Sequence, residues 1–319
     1  MTAIQELARP KEPAAAKGGH ARPVRPKPAE RGDNKAAVLF LAPWFAGLFL
    51  ITAGPMVASL YLSFTDFSLL DPPKWIGFGN YVEMLADDRL ATSLRVTFEY
   101  VFLSVPAQLA LALALALFLD RGLRGLTIYR SIFYLPSLLG GSVAIAILWR
   151  RIFGNDGLIN QVLSWFGVEG PGWIADPRFA LGTLVVLNVW TFGSPMIIFL
   201  AGLRQIPVTY YEAAAIDGAG KLRQFRSITL PLLTPIIFFN LVLQIIHGFQ
   251  SFTQAFIVSG GTGGPVDSTL LYPLYLYKEG FASLHMGYAS AMAWLLLLIV
   301  GGLTAVNFFL AKFWVFYDD

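Results

Sequence analysis

Six apolar runs dominate this sequence, at about Ala36–Phe64, Leu94–Leu119, Ile128–Trp149, Leu181–Leu203, Leu232–Ser259 and Tyr288–Val315. Each reaches the roughly 20 residues that a helix needs to cross the hydrocarbon of a bilayer. A chain of 319 residues that is 56% hydrophobic and only 13% charged cannot close into a water-soluble globule without leaving wide apolar surface. The pattern predicts an all-α integral membrane protein with six transmembrane helices. Pro43, Pro55, Pro106, Pro136 and Pro195 fall inside the runs. Prolines are tolerated there because neighbouring helices and polar side chains satisfy the carbonyls they release.

Basic residues set the expected orientation. With the N-terminus inside, 16 of the 23 Lys and Arg fall on inner segments. The outer loops keep Lys74, Arg89, Arg95, Arg150, Arg151, Arg178 and Lys278. Both termini are therefore expected in the cytoplasm, on a multi-pass membrane protein. Residues 1–35 mix five prolines with Ala, Lys and Arg and read as a disordered cytoplasmic tail. The remainder, 36–319, reads as one transmembrane domain. The tail either touches anionic lipid or only fixes orientation, and nucleic acid is not expected as a partner. The basic start leads into polar, Pro-rich sequence, so no cleavable signal is expected.

Between the fourth and fifth runs lies a polar segment, 204–231. Glu212 to Ile216 is a run of good helix formers, and Gly218 and Gly220 are poor ones. A short helix, a break near Asp217–Gly220 and a second, basic amphipathic helix are expected, with Pro231 opening the next span. Such an elbow on the membrane surface invites a partner. In the outer loops, Ile159–Phe166 reads as a short surface helix and S-G-G-T-G-G-P at 259–265 as an irregular turn. Arg95 and Glu99, one helical turn apart, are expected to pair.

Polar residues inside the runs are the candidate site. Asn240, Gln244, His247, Ser251 and Gln254 recur at intervals of four, three, four and three, which keeps them on one stripe of a helix. Such groups are costly in hydrocarbon and should face protein or a watery path, so the stripe either lines a permeation path or glues helices together. Asn188 and Thr191 share a face of the fourth run, with Trp190 beside them. Amides, a hydroxyl and an aromatic plate are what a sugar ring asks for, although ordinary packing explains them equally. No Lys or Arg cluster lies within the spans, which leans toward a neutral solute.

Catalytic patterns are missing. The chain has no cysteine. G-A-G-K at 218–221 lacks the first glycine and the Ser or Thr of a phosphate loop, where Ala215 and Leu222 stand instead. His20, His247 and His285 form no H-E-x-x-H site, and no G-x-S-x-G elbow occurs. No metal or nucleotide site is expected on this chain. A secondary, ion-coupled sugar transporter is the alternative, but inverted repeats and a mid-membrane carboxylate are not evident.

The elbow resembles the signature cytoplasmic loop of the membrane-spanning subunits of bacterial ABC importers, E-A-A-x3-G-x9-I-x-L-P. Glu212, Ala213, Ala214, Gly218, Ile228, Leu230 and Pro231 match it without a gap. F-Y-L-P at 133–136 and G-G-T-G-G-P at 260–265 are similar to the sugar-permease branch, of maltose and glycerol-3-phosphate type. The chain departs from the maltose-type first subunit, which carries further N-terminal spans and a large inserted outer domain. The resemblance implies a non-catalytic permease that pairs with a second, homologous permease. It implies two ATPase subunits, which hold the ATP and Mg, and an extracytoplasmic sugar-binding protein. It also implies that Glu212, Ala213, Ala214, Asp217 and Gly218 form the coupling helix and turn that dock on the ATPase.

Overall fold

In the computed structural model the described residues are 31–121 and 125–316, with side chains from Val38 onward. The tail 1–30 lies outside them. The chain divides into two units, Met1–Pro55 and Met56–Asp319. In the first, helix α1 (Arg31–Gly47) passes into a π-helical turn at Leu48–Ala53. Helix therefore begins five residues before the expected end of the tail. The segment Val38–Leu62, completed by α2 (Gly54–Leu62), is apolar and long enough to cross a membrane.

The second unit is helical apart from one two-residue strand pair, β1 (Thr65–Asp66) against β2 (Lys74–Trp75), antiparallel. The short α3 (Gly79–Met84) follows. Then α4 (Asp88–Leu119), 32 residues long, forms the axis of the unit. Helices α8 (Pro177–Trp190), α9 (Gly193–Leu203), α12 (Leu230–Phe249) and α14 (Tyr272–Tyr277) all pack on it. Small buried residues on α4, Ala112 and Ala116, let neighbours approach closely, which is how helices associate without a hydrophobic driving force between them. Large apolar side chains such as Phe102, Phe309 and Leu298 stay exposed, as a lipid-facing surface requires.

Four segments are long and apolar enough to be candidate spans: Val38–Leu62, Asp88–Leu119, Lys221–Phe249 and Met286–Trp314, the last being α15. Two bent helix pairs bring the number to six. The run 128–149, read as one span, is two helices, α5 (Leu126–Leu139) and α6 (Val143–Ile152), meeting at 94°. Gly140 and Gly141 stand at the break, and Ser142 caps α6 by accepting from the Ile145 N–H. Two poor helix formers in a row, followed by a good cap, override the apolar pattern. The fourth run is α8 and α9, bent by 42° at Thr191–Phe192. Helix α7 (Leu158–Trp165) forms where a short helix is expected over Ile159–Phe166, and Arg95 pairs with Glu99 at 2.8 Å.

Asp87 ties the end of the unit where α4 begins. Its Oδ1 accepts from the backbone N–H of Arg89 and Leu90, capping α4. Its Oδ2 accepts from the hydroxyls of Tyr275 (2.7 Å, on α14) and Tyr288 (2.6 Å, on α15). Burial, the largest influence, works to raise the carboxyl's pKa, but the four donors outweigh it and hold the group below its ordinary 3.8. The stability this carboxylate supplies is complete above the unfolded pKa and is lost as pH falls through the folded one. Asp87→Asn should therefore cost about 1–3 kcal/mol near neutral pH. The gap from wild type should close as pH drops below 3.8, read by thermal unfolding in detergent.

Gly193 is where α9 rests on α5. A Cβ there would stand 2.6 Å from the Phe133 carbonyl oxygen and 2.8 Å from Tyr134 Cα, both backbone atoms that cannot step aside. Gly193→Ala should force the helices apart and lower stability by roughly 1–3 kcal/mol. Gly301→Ala on α15, with nothing within 4 Å, should be neutral or slightly stabilising in the same melt.

Candidate functional site

Three helix breaks meet at one place. Besides Gly140–Ser142 and Thr191–Phe192, α12 stops at Phe249 and α13 (Thr253–Val258) starts after a non-helical Gln250–Phe252. A break in hydrocarbon frees backbone carbonyls that no water can reach, so side chains must take them. The Thr191 carbonyl accepts from Gln108 Nε2 (3.1 Å, from unbroken α4) and Ser137 Oγ (2.8 Å, from α5). Gln108 also donates to Thr191 Oγ1 at 2.9 Å, and Ser137 Oγ accepts from the Ser194 N–H. The Gly140 carbonyl accepts from Gln254 Nε2 at 3.2 Å, so the first and third breaks are tied directly.

These breaks surround a cavity of about 430 Å³, within the range of small-molecule sites. Of the residues singled out in the sequence, Asn188, Thr191, Gln244, His247, Ser251 and Gln254 line it together. Asn240 and Trp190 do not. Asn240 is fully buried and its amide bonds back to the Ile236 carbonyl at 3.1 Å. Trp190 is half-buried with its ring 5.8 Å from that of Trp149, because two residues along a helix is about 200° round from Asn188. The continuous stripe expected over 240–254 is also corrected. The helix ends at Phe249, after Gly248, and Ser251 and Gln254 reach the cavity from beyond the break.

The lining falls into two groups. Thr191, Gln108, Ser137 and Gln254 spend donors or acceptors on the broken backbone, and Asn188 donates to Gln108 Oε1 at 3.4 Å. By contrast, the side chains of Gln244, His247 and Gln250 make no hydrogen bond among the described residues. They lie three residues apart, Gln244 and His247 on the last turns of α12 and Gln250 just past its end, and His247 and Gln250 are exposed. No Asp, Glu, Lys or Arg lines this space among the described residues. It offers amides, hydroxyls and an imidazole, which recognise hydroxyl groups without fixed charge. Gln108 and Ser137 were missed in the sequence, though Gln108 is the single amide side chain in the run 94–119.

At the other end of α12 is the elbow. Helix α10 (Val208–Ile216) carries Glu212, Ala213 and Ala214 and ends at Asp217. Gly218 then takes φ +78°, a left-handed conformation that side chains resist. The Ala219 N–H bonds the Ala214 carbonyl (2.8 Å) and the Gly218 N–H the Ala215 carbonyl (3.0 Å), a Schellman closure. Glu212, Ala213 and Asp217 are exposed, and Ile216 is 87% exposed. The second elbow helix is not separate from the next span. Helix α11 (Lys221–Gln224) runs through a π-turn at Phe225–Thr229 into α12, one helix from Lys221 to Phe249. Pro231 lacks an N–H and its ring crowds the carbonyl four residues back, and the wide turn lets the helix continue past it. Tyr211 OH and Thr229 Oγ1, 2.9 Å apart, hold α10 against this turn. Arg204 meets Asp120, at the end of α4, at 3.6 Å.

A polytopic helical protein with an uncharged polar cavity among broken spans, and a polar elbow at one end of them, belongs to the membrane permeases. Residues 76–313 match the family described as the binding-protein-dependent transport system inner membrane component, and the chain belongs to that family. It is 52% identical over 291 residues to the probable ABC transporter permease protein YesP of Bacillus subtilis (strain 168), covering 91% of this chain and 94% of that one. It is 32% identical to the lactose transport system permease protein LacF of Rhizobium radiobacter, over 86% and 93% of the two chains. In fold it is similar to a bacterial ABC transporter involved in the import of the acidic polysaccharide alginate. That match has a TM-score of 0.76 at 20% identity and covers 88% of this chain and 96% of the other. The protein is a multi-pass permease subunit of an ABC transporter, and the ion-coupled carrier finds no support.

The two groups of lining residues should separate experimentally. Gln108→Leu removes donors to the Thr191 break and should lower thermal stability by about 1–2 kcal/mol. Gln244→Leu, which breaks no internal bond, should leave the melting temperature of the purified protein unchanged.

Proposed function

We propose that this chain is a permease subunit of an ATP-driven importer for a sugar or oligosaccharide. It forms the path with a second, homologous permease. Two ATPase subunits bind and hydrolyse ATP with Mg, and an extracytoplasmic sugar-binding protein delivers the solute. This chain itself carries no catalytic site and binds no cofactor. The observation that carries the reading is the cavity where the three breaks meet. Its free groups at Gln244, His247 and Gln250 can exchange hydrogen bonds with a passing solute without disturbing the groups that hold the breaks. A relative named for lactose transport is consistent with a sugar as that solute.

In this reading both termini and the elbow face the cytoplasm. The exposed α10 sits in a groove of the ATPase, with Glu212 meeting a basic group and Ala213 and Ala214 allowing close approach. Asp217 and Gly218 make the turn that returns the chain to α12. Because α11 and α12 are one continuous helix, a push on the elbow travels along a rigid rod to Gln244 and His247 at its far end. That gives ATPase closure a lever on the cavity.

Two sets of variants test this. Gly218→Pro demands φ near −65° where the backbone takes +78°, and Glu212→Lys reverses the charge at the docking face. Each should insert and assemble in the membrane yet reduce ATP-dependent sugar uptake to background. Normal uptake by well-expressed Gly218→Pro would overturn the coupling role. Leu at Gln244, His247 or Gln250 should change uptake affinity or selectivity roughly ten-fold, as loss of one or two polar contacts implies. Unchanged kinetics in all three would return these residues to packing.

A further inference from the structure

A second cavity lies along the same helices, at the end of the bundle away from the elbow. Helix α12 runs from the elbow to the helix break, and α13 continues beyond it, packed against α6. Gln254 on α13 borders the uncharged cavity, and Ile257, one turn on, borders the second, of about 580 Å³. The two spaces are therefore consecutive along α13. The second is lined by Ile147, Arg150, Arg151, Asn155, Asp156 and Ile257, with glycine backbone between them.

The arginines there differ from the others in this half of the unit. Arg89 pairs with Asp267 at 2.8 Å, Arg95 with Glu99 at 2.8 Å and Arg178 with Asp176 at 2.7 Å. Arg150 and Arg151 have no ion pair among the described residues, although Asp156 borders the same cavity. Two guanidiniums against one carboxylate leave the cavity one positive charge in excess. Both arginines stand in the last turn of α6, where the helix dipole favours a cation, but the dipole does not explain why they border an open space. Gly260 lies beside Arg150, and a Cβ there would approach both terminal guanidinium nitrogens to 3.7 Å.

We propose that Arg150 and Arg151 form an anion-recognising vestibule, and that the solute carries a carboxylate, as in a uronate-containing oligosaccharide. This rests on the reading of the chain as a sugar permease and names the class of sugar. The guanidinium fork matches the two oxygens of a carboxylate and can hold it with paired charge-assisted hydrogen bonds. The carboxylate would be met first, and the hydroxyls would then pass to the uncharged groups at Gln250, His247 and Gln244. The sequence-level inclination toward a neutral solute came from the spans alone.

The test is uptake by cells carrying the complete transporter, with binding protein and ATPase. The probes are radiolabelled di- and trisaccharides of galacturonate, glucuronate and mannuronate, together with their carboxyl-reduced neutral counterparts. Wild type should take up at least one uronate saccharide faster than its neutral counterpart. Arg150→Gln with Arg151→Gln should slow that uptake roughly ten- to hundred-fold and leave any neutral uptake unchanged. Arg150→Lys with Arg151→Lys, which keeps the charge but loses the fork, should fall between the two. Equal loss of acidic and neutral uptake, or neutral saccharides preferred by wild type, overturns the vestibule but leaves the sugar permease intact. ATP-dependent uptake of no saccharide at all by an assembled, ATP-hydrolysing complex overturns both.

Discussion

A peptide carbonyl at a helix break inside a bilayer has no water to turn to, and the centre of this protein is built around that fact. Three breaks release such groups close together, and Gln108, Ser137 and Gln254 take up the Thr191 and Gly140 carbonyls. Each of these side chains comes from a different helix than the carbonyl it satisfies: Gln108 on α4 and Ser137 on α5 reach Thr191, and Gln254 on α13 reaches Gly140. The polar lining thus exists first because the backbone needs it. What is left over, at Gln244, His247 and Gln250, is free for a solute.

The same arrangement explains the division between rigid and yielding parts. Helix α4 is unbroken for 32 residues and receives its neighbours through small side chains and two polar ties, Gln108 in the middle and the Asp87 cap at one end. Tyr272 adds a third, its backbone N–H donating to Thr97 and its hydroxyl to the Met292 carbonyl. Around this axis the broken helices turn at defined points. Helix α12 links the elbow to the cavity without a gap, so the exposed α10 lies at one end of a continuous helix whose other end lines the cavity. In the proposed reading, that one rod joins the coupling elbow to the solute site.

Much of the site was legible before any coordinates. Asn188, Thr191, Gln244, His247, Ser251 and Gln254 stood out because polar groups in apolar runs are expensive, and cost is visible in a sequence. Asn240 stood out for the same reason and Trp190 as an aromatic plate, and both lie elsewhere. Expense marks a residue as needing a partner without saying whether that partner is a solute, another helix or its own backbone. Asn240 chose the last, bonding back to Ile236. Gln108 was equally visible but carried no periodic companion, and Arg150 and Arg151 looked like ordinary loop charges until the cavity beside them was seen.

By itself the sequence determined that the chain is a bundle of membrane-spanning helices, because only length and apolarity decide whether a segment prefers lipid. It also determined the elbow, since Gly218 and Gly220 interrupt the run of helix formers and a glycine takes a left-handed turn without strain, as Gly218 does. Only the tertiary structure decided that two of the six runs bend and that a third ends early, because a break depends on a neighbour ready to satisfy the released carbonyl. It also decided that those breaks converge, bringing residues as far apart in the chain as Gln108 and Gln254 to the edge of one space. Helix packing sets that convergence through contacts distant in the chain, and no local pattern encodes them.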